Sequence, residues 1–287
     1  MLEHPQSWGE KALDTSRLPG EVKAHLRSAL KKLAGGKFLL IRQRHSESDS
    51  INFFMAVTRE QDPYIKRFRL KSYEDLLELD IPTLAQQTPK DTESHPLYLV
   101  CTDGKHDKCC AKYGLRAYQS LKEKFGESVW ESSHVGGDRF AANVLCFPHG
   151  LYFGRVSEAE ADRILNDYRN GQLYLNKYRG RSCYSHNAQV GEYFIRSQSG
   201  NLRLDSLRFL DDEALEEDQW QVRFSSADDH TVHTVRFRQK LSASEIPSSC
   251  HSEKKSRVAQ YSLLEYAAFD GSVLFTAQKE DHFQLHG

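Results

Sequence analysis

The chain has 287 residues, room for one large domain or two ordinary ones. It is 39% hydrophobic and 11% aromatic, enough for a real core, and its net charge of −1 comes from basic and acidic residues mixed along the chain, so no basic field marks it for nucleic acid. No apolar run approaches a membrane span, and the polar stretch from Met1 to Arg27 lacks the apolar core of a secretory signal, so a cytoplasmic protein is the expectation.

Three segments are expected: 1–92, an N-terminal α+β segment; 93–190, a central α/β domain; and 191–287, a β-rich segment. In the first, Val22, Leu26, Leu30 and Leu33 are spaced for one helix face, stopped by Gly35-Gly36. Lys37–Arg42 and Phe53–Thr58 read as strands paired across the polar loop 46–50. Ser72 and Asp75 form a capping box for a short helix through Leu79. Pro82 and residues 86–94 read as a connector.

In the second segment, Leu97–Val100 is a buried strand ending at Cys101, followed by a polar loop to Lys112. Leu115, Tyr118, Leu121 and Phe125 have helical spacing, closed by Gly126. Ser128–Ser132 reads as a strand, followed by a loop with Gly136-Gly137. Asn143–Phe147 and Leu151–Val156 read as a hairpin around Pro148-His149-Gly150. Ser157 and Glu160 cap a last helix striped by Ala161, Ile164, Leu165 and Tyr168 and ended by Gly171. The result is an α/β unit with helices on a mixed sheet. In the third segment, Trp220–Phe224 and Thr231–Phe237 read as a hairpin, 245–255 as polar loop, and Tyr261–Phe269 as helix or strand.

All six cysteines, at 101, 109, 110, 146, 183 and 250, lie after residue 100. They are too sparse for a small disulfide scaffold, and Cys146, Cys183 and Cys250 read as small buried apolar groups. Cys101 and Cys110 share one loop, while His134 and Asp138 bracket Val135-Gly136-Gly137 in the next. Two pairs on neighbouring loops, spaced by a sheet, suit a metal centre. Thiolate and imidazole serve both zinc and iron–sulfur centres. Gly136 and Gly137 let the backbone approach a bulky group and donate N–H to it. The charged run Lys105–Lys108 suits an exposed docking face. Arg139 stands beside the loop as a possible donor to the cluster or to Asp138, or as a surface ion pair. His106 and His149, in polar turns, read as solvated, and Trp130 as core.

Two stretches carry a family resemblance. Cys-Thr-Asp-Gly-Lys-His-Asp-Lys-Cys-Cys at 101–110 and Val-Trp-Glu-Ser-Ser-His-Val-Gly-Gly-Asp-Arg-Phe-Ala at 129–141 resemble the loops of sucrase/ferredoxin-like proteins. Phe147 to Arg155 and Arg179-Gly180-Arg181-Ser182 continue the match, which spans about 95–190. The resemblance implies a thioredoxin-like ferredoxin fold with a [2Fe-2S] cluster and a one-electron carrier serving a redox partner protein. The fungal relatives use two cysteines and two histidines. Carried over, these land on Cys101, Cys110 and His134, with Asp138 at the second histidine position. Either Asp138 is an oxygen ligand, or Cys109, Cys146 or Cys183 completes the site. Replacing thiolate by imidazole raises the expected potential and, through the ring N–H, makes it pH-dependent; a carboxylate ligand pulls it back down. No carboxylate pair flanking a sugar is evident, so the family label's "sucrase" finds no counterpart. Three other readings fit: a zinc-binding structural domain; a thioredoxin-like thiol protein using Cys109 or Cys110, despite the lack of a C-x-x-C pair; and a family member that binds nothing.

Overall fold

The computed structural model describes residues 1–43, 49–87, 91–229, 231–247, 253, 255–269, 274–277 and 282–283. The chain divides into two compact units, 1–149 and 150–287. No helix among the described residues is long and apolar enough to cross a membrane.

The first unit contains β1 (Leu2–Glu3), α1 (Ala12–Thr15), α2 (Gly20–Lys32), β2 (Leu40–Arg42), β3 (Ile51–Val57), β4 (Tyr64–Leu70), α3 (Ile81–Gln86), β5 (Leu97–Cys101), α4 (Lys108–Phe125), β6 (Val129–Ser132) and β7 (Val144–Phe147). Its strands lie in the order β4-β3-β1-β2-β6-β5-β7. The sheet is mixed: β1/β2 and β5/β6 are parallel and the other neighbours antiparallel. It takes in strands from both sides of residue 92, within the α/β class expected.

Helix α2 buries Val22, Leu26 and Ala29 against a cluster with Leu2, Leu40 and Phe53. The hairpin expected between Lys37–Arg42 and Phe53–Thr58 does not form, because β1 lies between its two arms. Leu2 is fully buried; its N–H donates to the Leu39 carbonyl at 2.9 Å, and the Phe54 N–H donates to the Met1 carbonyl at 2.8 Å. Of the expected loop, residues 46–48 lie outside the described residues. Pro82 opens α3 rather than a connector: its missing N–H is harmless in a first turn, and Asp80 caps the Thr83 N–H. Residues 88–90 of that expected connector lie outside the described residues. The capping box at Ser72 and Asp75 is present, on a 3₁₀ turn.

The β5–α4–β6 crossover positions the candidate site. Helix α4 presents Cys110, Gly114, Ala117, Tyr118, Leu121 and Phe125 to the sheet, a stripe of three- and four-residue steps. Each large side chain so buried contributes about 1.5–3 kcal/mol. A Cβ at Gly114 would fall 2.0 Å from the Cys101 carbonyl oxygen, so the absent side chain lets the helix lie against the end of β5. Asp107 starts the helix by accepting the Cys109 N–H at 2.6 Å. The expected polar loop to Lys112 is therefore shorter, and Cys110 sits in the first helical turn.

The second unit contains β8 (Leu151–Phe153), α5 (Glu158–Arg169), β9 (Tyr178–Arg181), α6 (His186–Ser199), β10 (Leu207–Ala214), β11 (Gln219–Ser226), β12 (Val232–Leu241), β13 (Ile246–Pro247), β14 (Lys255–Ser256), β15 (Ala259–Phe269), β16 (Leu274–Ala277) and β17 (His282–Phe283). Helix α5 has the expected capping box and buried stripe. The hairpin expected across 225–230 forms from β11 and β12, and Tyr261–Phe269 is strand, the partner of β12. The polar stretch 245–255 carries the short β13/β14 ladder, with 248–252 and 254 outside the described residues; Cys250 falls there. Helix α6 packs Ala188, Phe194 and Ile195 on the sheet against Val222, Phe224, Val235 and Phe237. Inside the unit, buried Glu192 bonds Arg196 at 3.0–3.1 Å and the Tyr178 hydroxyl at 2.6 Å, so the buried carboxylate is paired.

Candidate metal centre

Cys101 ends β5, Cys110 opens α4, and His134 follows β6, so adjacent parallel strands and their crossover helix converge on one point. Sγ of Cys101, Sγ of Cys110 and a ring nitrogen of His134 lie within 4.8 Å of one another. His134 Nδ1 is 4.0 Å from Cys101 Sγ. Both cysteines are buried, and His134 is half-buried.

The two thiols interact strongly. The hydrogen bond from Cys110 holds Cys101 down at about 5 despite burial, aided by the His134 ring and the Asp103 N–H. The same bond, with burial, pushes the Cys110 thiol up. A thiolate at Cys101 thus sits between the Cys110 S–H and the imidazole. Burial acts to lower the His134 pKa, but Cys101, Asp138 and Asp103 together raise it.

A second group shares His134. His106, His134 and Asp138 each place a ligand atom within 4.8 Å of the others. The rings of His106 and His134 are stacked, centroids 3.6 Å apart and planes at 9°. Asp138 Oδ1 lies 3.0 Å from His134 Nε2 and 3.6 Å from His106 Nε2. These approaches are close, yet no hydrogen bond reaches this buried oxygen; His134 Nε2 instead accepts the Gly136 N–H at 3.0 Å. His106, expected to be solvated, is partly exposed but packed on the site.

The loop supporting His134 needs its glycines: Gly136 and Gly137 have φ of 96° and 74°, left-handed conformations that side chains disfavour. The Lys37 ammonium donates to the Val135 carbonyl, and Asn143 Nδ2 donates to the Gly137 carbonyl at 3.0 Å. Asp138 opens a 3₁₀ turn over Asp138–Phe140. The Arg139 guanidinium lies over the Phe140 ring, 5.3 Å from its centroid. Below the site, buried Glu131 accepts the Thr102 hydroxyl at 2.7 Å and Arg42 at 3.2 Å.

Among the described residues, no other cysteine joins either group. Cys109 is half-buried, already partnered and not among the free thiols. Cys146 stands opposite Tyr98, three residues before Cys101 on β5, roughly 10 Å along the strand; burial pushes its thiol up. Cys183 belongs to the second unit. Sequence reasoning missed His106 and Asp103. Their signal was position alone: both lie inside the ten residues from Cys101 to Cys110.

The sucrase/ferredoxin-like family model matches residues 1–180. It takes in the first third, ahead of the 95–190 span of the resemblance, and both cysteine and histidine loops. No curated protein and no solved structure matches the chain. A family match across more than half of the chain, spanning both loops of the site, places it: the chain belongs to the sucrase/ferredoxin-like family.

Proposed function

We propose that the first unit binds a [2Fe-2S] cluster on a thioredoxin-like ferredoxin fold and acts as a one-electron carrier. The observation that carries this reading is the overlap of the two donor groups. Two thiols share His134 with a second group, His106 and Asp138: its Nδ1 lies by Cys101, its Nε2 by Asp138, and its face against His106. A two-iron centre with thiolates on one iron and imidazole on the other uses that division of donors. The donors fit by chemistry: Cys101 is held as thiolate, and Asp138 Oδ1 is a buried acceptor without a donor. In support of the fold, β5, α4 and β6 form a parallel crossover, with β7 antiparallel beside β5.

Cys101, Cys110 and His134 are three of the ligands, and the fourth comes from the Asp138 side of His134. A cluster held there supplies one-electron chemistry, at a potential raised by each imidazole that replaces a thiolate. The chain's own residues hold and shield the site: α4 and the sheet bury the thiols, and Gly136 and Gly137 shape the loop. Lys105 and Lys108 are exposed beside it and offer a positive face to an acidic redox partner protein.

The test is iron and acid-labile sulfide content with an optical spectrum and an EPR spectrum after reduction, on anaerobically purified chain. Two irons and two sulfides per chain are expected, lost in Cys101→Ser and Cys110→Ser. Colourless protein containing zinc would overturn the cluster. Zinc is the second reading, favoured by one observation: the Cys101, Cys110 and His134 atoms are close enough for a single tetrahedral ion.

A further inference from the structure

His106 is held as metal-binding histidines are held. Its Nδ1 lies 3.0 Å from the Glu10 carbonyl oxygen. A carbonyl can only accept, so Nδ1 carries a proton and Nε2 is the nitrogen left to bind a metal. A ring locked through one nitrogen to a backbone carbonyl, its other nitrogen presented, is the usual arrangement of a ligating imidazole. The backbone is fixed too. Asp103 Oδ1 accepts the His106 N–H at 3.2 Å, and its Oδ2 accepts the His134 N–H at 3.1 Å. One carboxylate therefore sets both imidazoles.

Nε2 faces Asp138 Oδ1 at 3.6 Å, a buried oxygen that no hydrogen bond reaches. On the same side, His134 Nε2 is the acceptor of the Gly136 N–H. A carboxylate oxygen and two ring nitrogens gathered this closely need a proton or a metal cation among them. Of the two acceptors available as the fourth ligand, the imidazole is the softer and the better suited to iron beside thiolates.

We propose that His106 supplies the second imidazole ligand of the centre, through Nε2, and that Asp138 remains a carboxylate beside the two rings without binding the metal. This rests on the metal-centre reading above. It makes the ligand set two thiolates and two imidazoles, with the second histidine contributed by the cysteine loop and not by the position four residues after His134.

The test compares full-length wild type with His106→Ala and Asp138→Asn. His106 is exposed at the surface, and circular dichroism checks that each variant is folded. After reduction, pulsed EPR should show two imidazole nitrogen couplings in wild type and in Asp138→Asn, and one, or no retained cluster, in His106→Ala. Two couplings persisting in His106→Ala would overturn the proposal, as would a coupling pattern and iron content altered only in Asp138→Asn. Cobalt(II) titration of the metal-free chain separates this outcome from failure of the cluster reading. If wild type carries no iron or sulfide, the cluster reading falls. The His106 assignment then stands or falls on cobalt alone. His106→Ala should weaken binding by more than about 10-fold, the least that even loss of an outer-sphere partner gives. Unchanged cobalt affinity would overturn it.

Discussion

Asp103 shows how one side chain can set a site without being part of it. It is buried, and its two oxygens accept backbone N–H groups from residues on different loops, His106 and His134. Hydrogen bonds to a charged group contribute about 1.5–3 kcal/mol each. Asp103→Ala removes both acceptors and leaves two N–H groups to find water. Denaturant unfolding of the metal-free protein should show a loss of roughly 3–6 kcal/mol, less whatever water returns to the two N–H groups, and the purified variant should carry less metal than wild type. Asp103→Asn keeps one acceptor oxygen but turns an amide N–H₂ towards the other donor, so an intermediate loss is expected. Wild-type stability and metal content in Asp103→Ala would show that the loops hold themselves. This residue also marks what a sequence leaves hidden. Cys101, Cys110, His134 and Asp138 stood out because their types and spacing are unusual for plain loops. Asp103 and His106 have the types common in any solvated turn, and only the fold-back of the 101–110 loop onto His134 separates them from such a turn.

At the scale of elements, the site depends on how closely α4 approaches β5. Gly114 is the contact point, and the obstacle to a side chain there is the Cys101 backbone, not a flexible neighbour. Alanine favours a helix interior over glycine by about 1 kcal/mol. Overpacking typically costs about 1–3 kcal/mol, and a Cβ placed 2.0 Å from a carbonyl oxygen must push the helix away, so destabilisation wins. Gly114→Ala should lower the melting temperature and also lower metal content, because the displaced helix carries Cys110. Glu123→Ala on the exposed face of the same helix serves as control. A Gly114→Ala protein that melts and loads like wild type would show that the contact relaxes cheaply. The same crossover was the most legible part of the fold: Leu97–Val100 is a strand-length apolar run, Leu115, Tyr118, Leu121 and Phe125 have helical spacing, and Ser128–Ser132 reads as a strand between turn signals. The sheet around it was not. β1 is two residues long, too short to show a period, yet it separates β2 from β3. β4 was missed because Lys66, Arg67 and Arg69 make Tyr64–Leu70 look like a charged loop. In the second unit, Tyr261–Phe269 was ambiguous alone and became a strand only beside β12.

Over the whole molecule, both units hold histidines whose surroundings disfavour the charged ring, His4 and His233 buried and His186 partly desolvated at the surface, and this sets a common response to acid. In the first unit, burial, then Arg42 and Lys23, lowers the His4 pKa; its Nδ1 meets the Tyr73 hydroxyl at 2.8 Å, while its buried Nε2 has no hydrogen-bond partner. In the second, burial lowers His186 and His233. His186 meets the Tyr261 hydroxyl, and His233 lies between the Tyr266 and Ser226 hydroxyls at 2.9 and 3.0 Å. In each case the folded pKa lies below the unfolded value near 6.5. The unfolded chain therefore binds protons first as pH falls. The stability these rings allow is complete above about pH 6.5 and is lost as pH falls through the lowered folded values. Cys101, also lowered, adds a slope of the same sign, lost between its unfolded value near 9 and about 5. A comparison of wild type with a His186→Gln, His233→Gln double variant removes that shared slope. With metal-free protein, the difference in unfolding free energy should be constant above pH 7 and should shift against wild type between pH 6.5 and 5. His4→Gln should give the same sign for the first unit. A difference independent of pH down to 5 would mean that these rings accept protons in place, with water or a neighbouring carboxylate reaching them, and that acid sensitivity arises from the carboxylates alone.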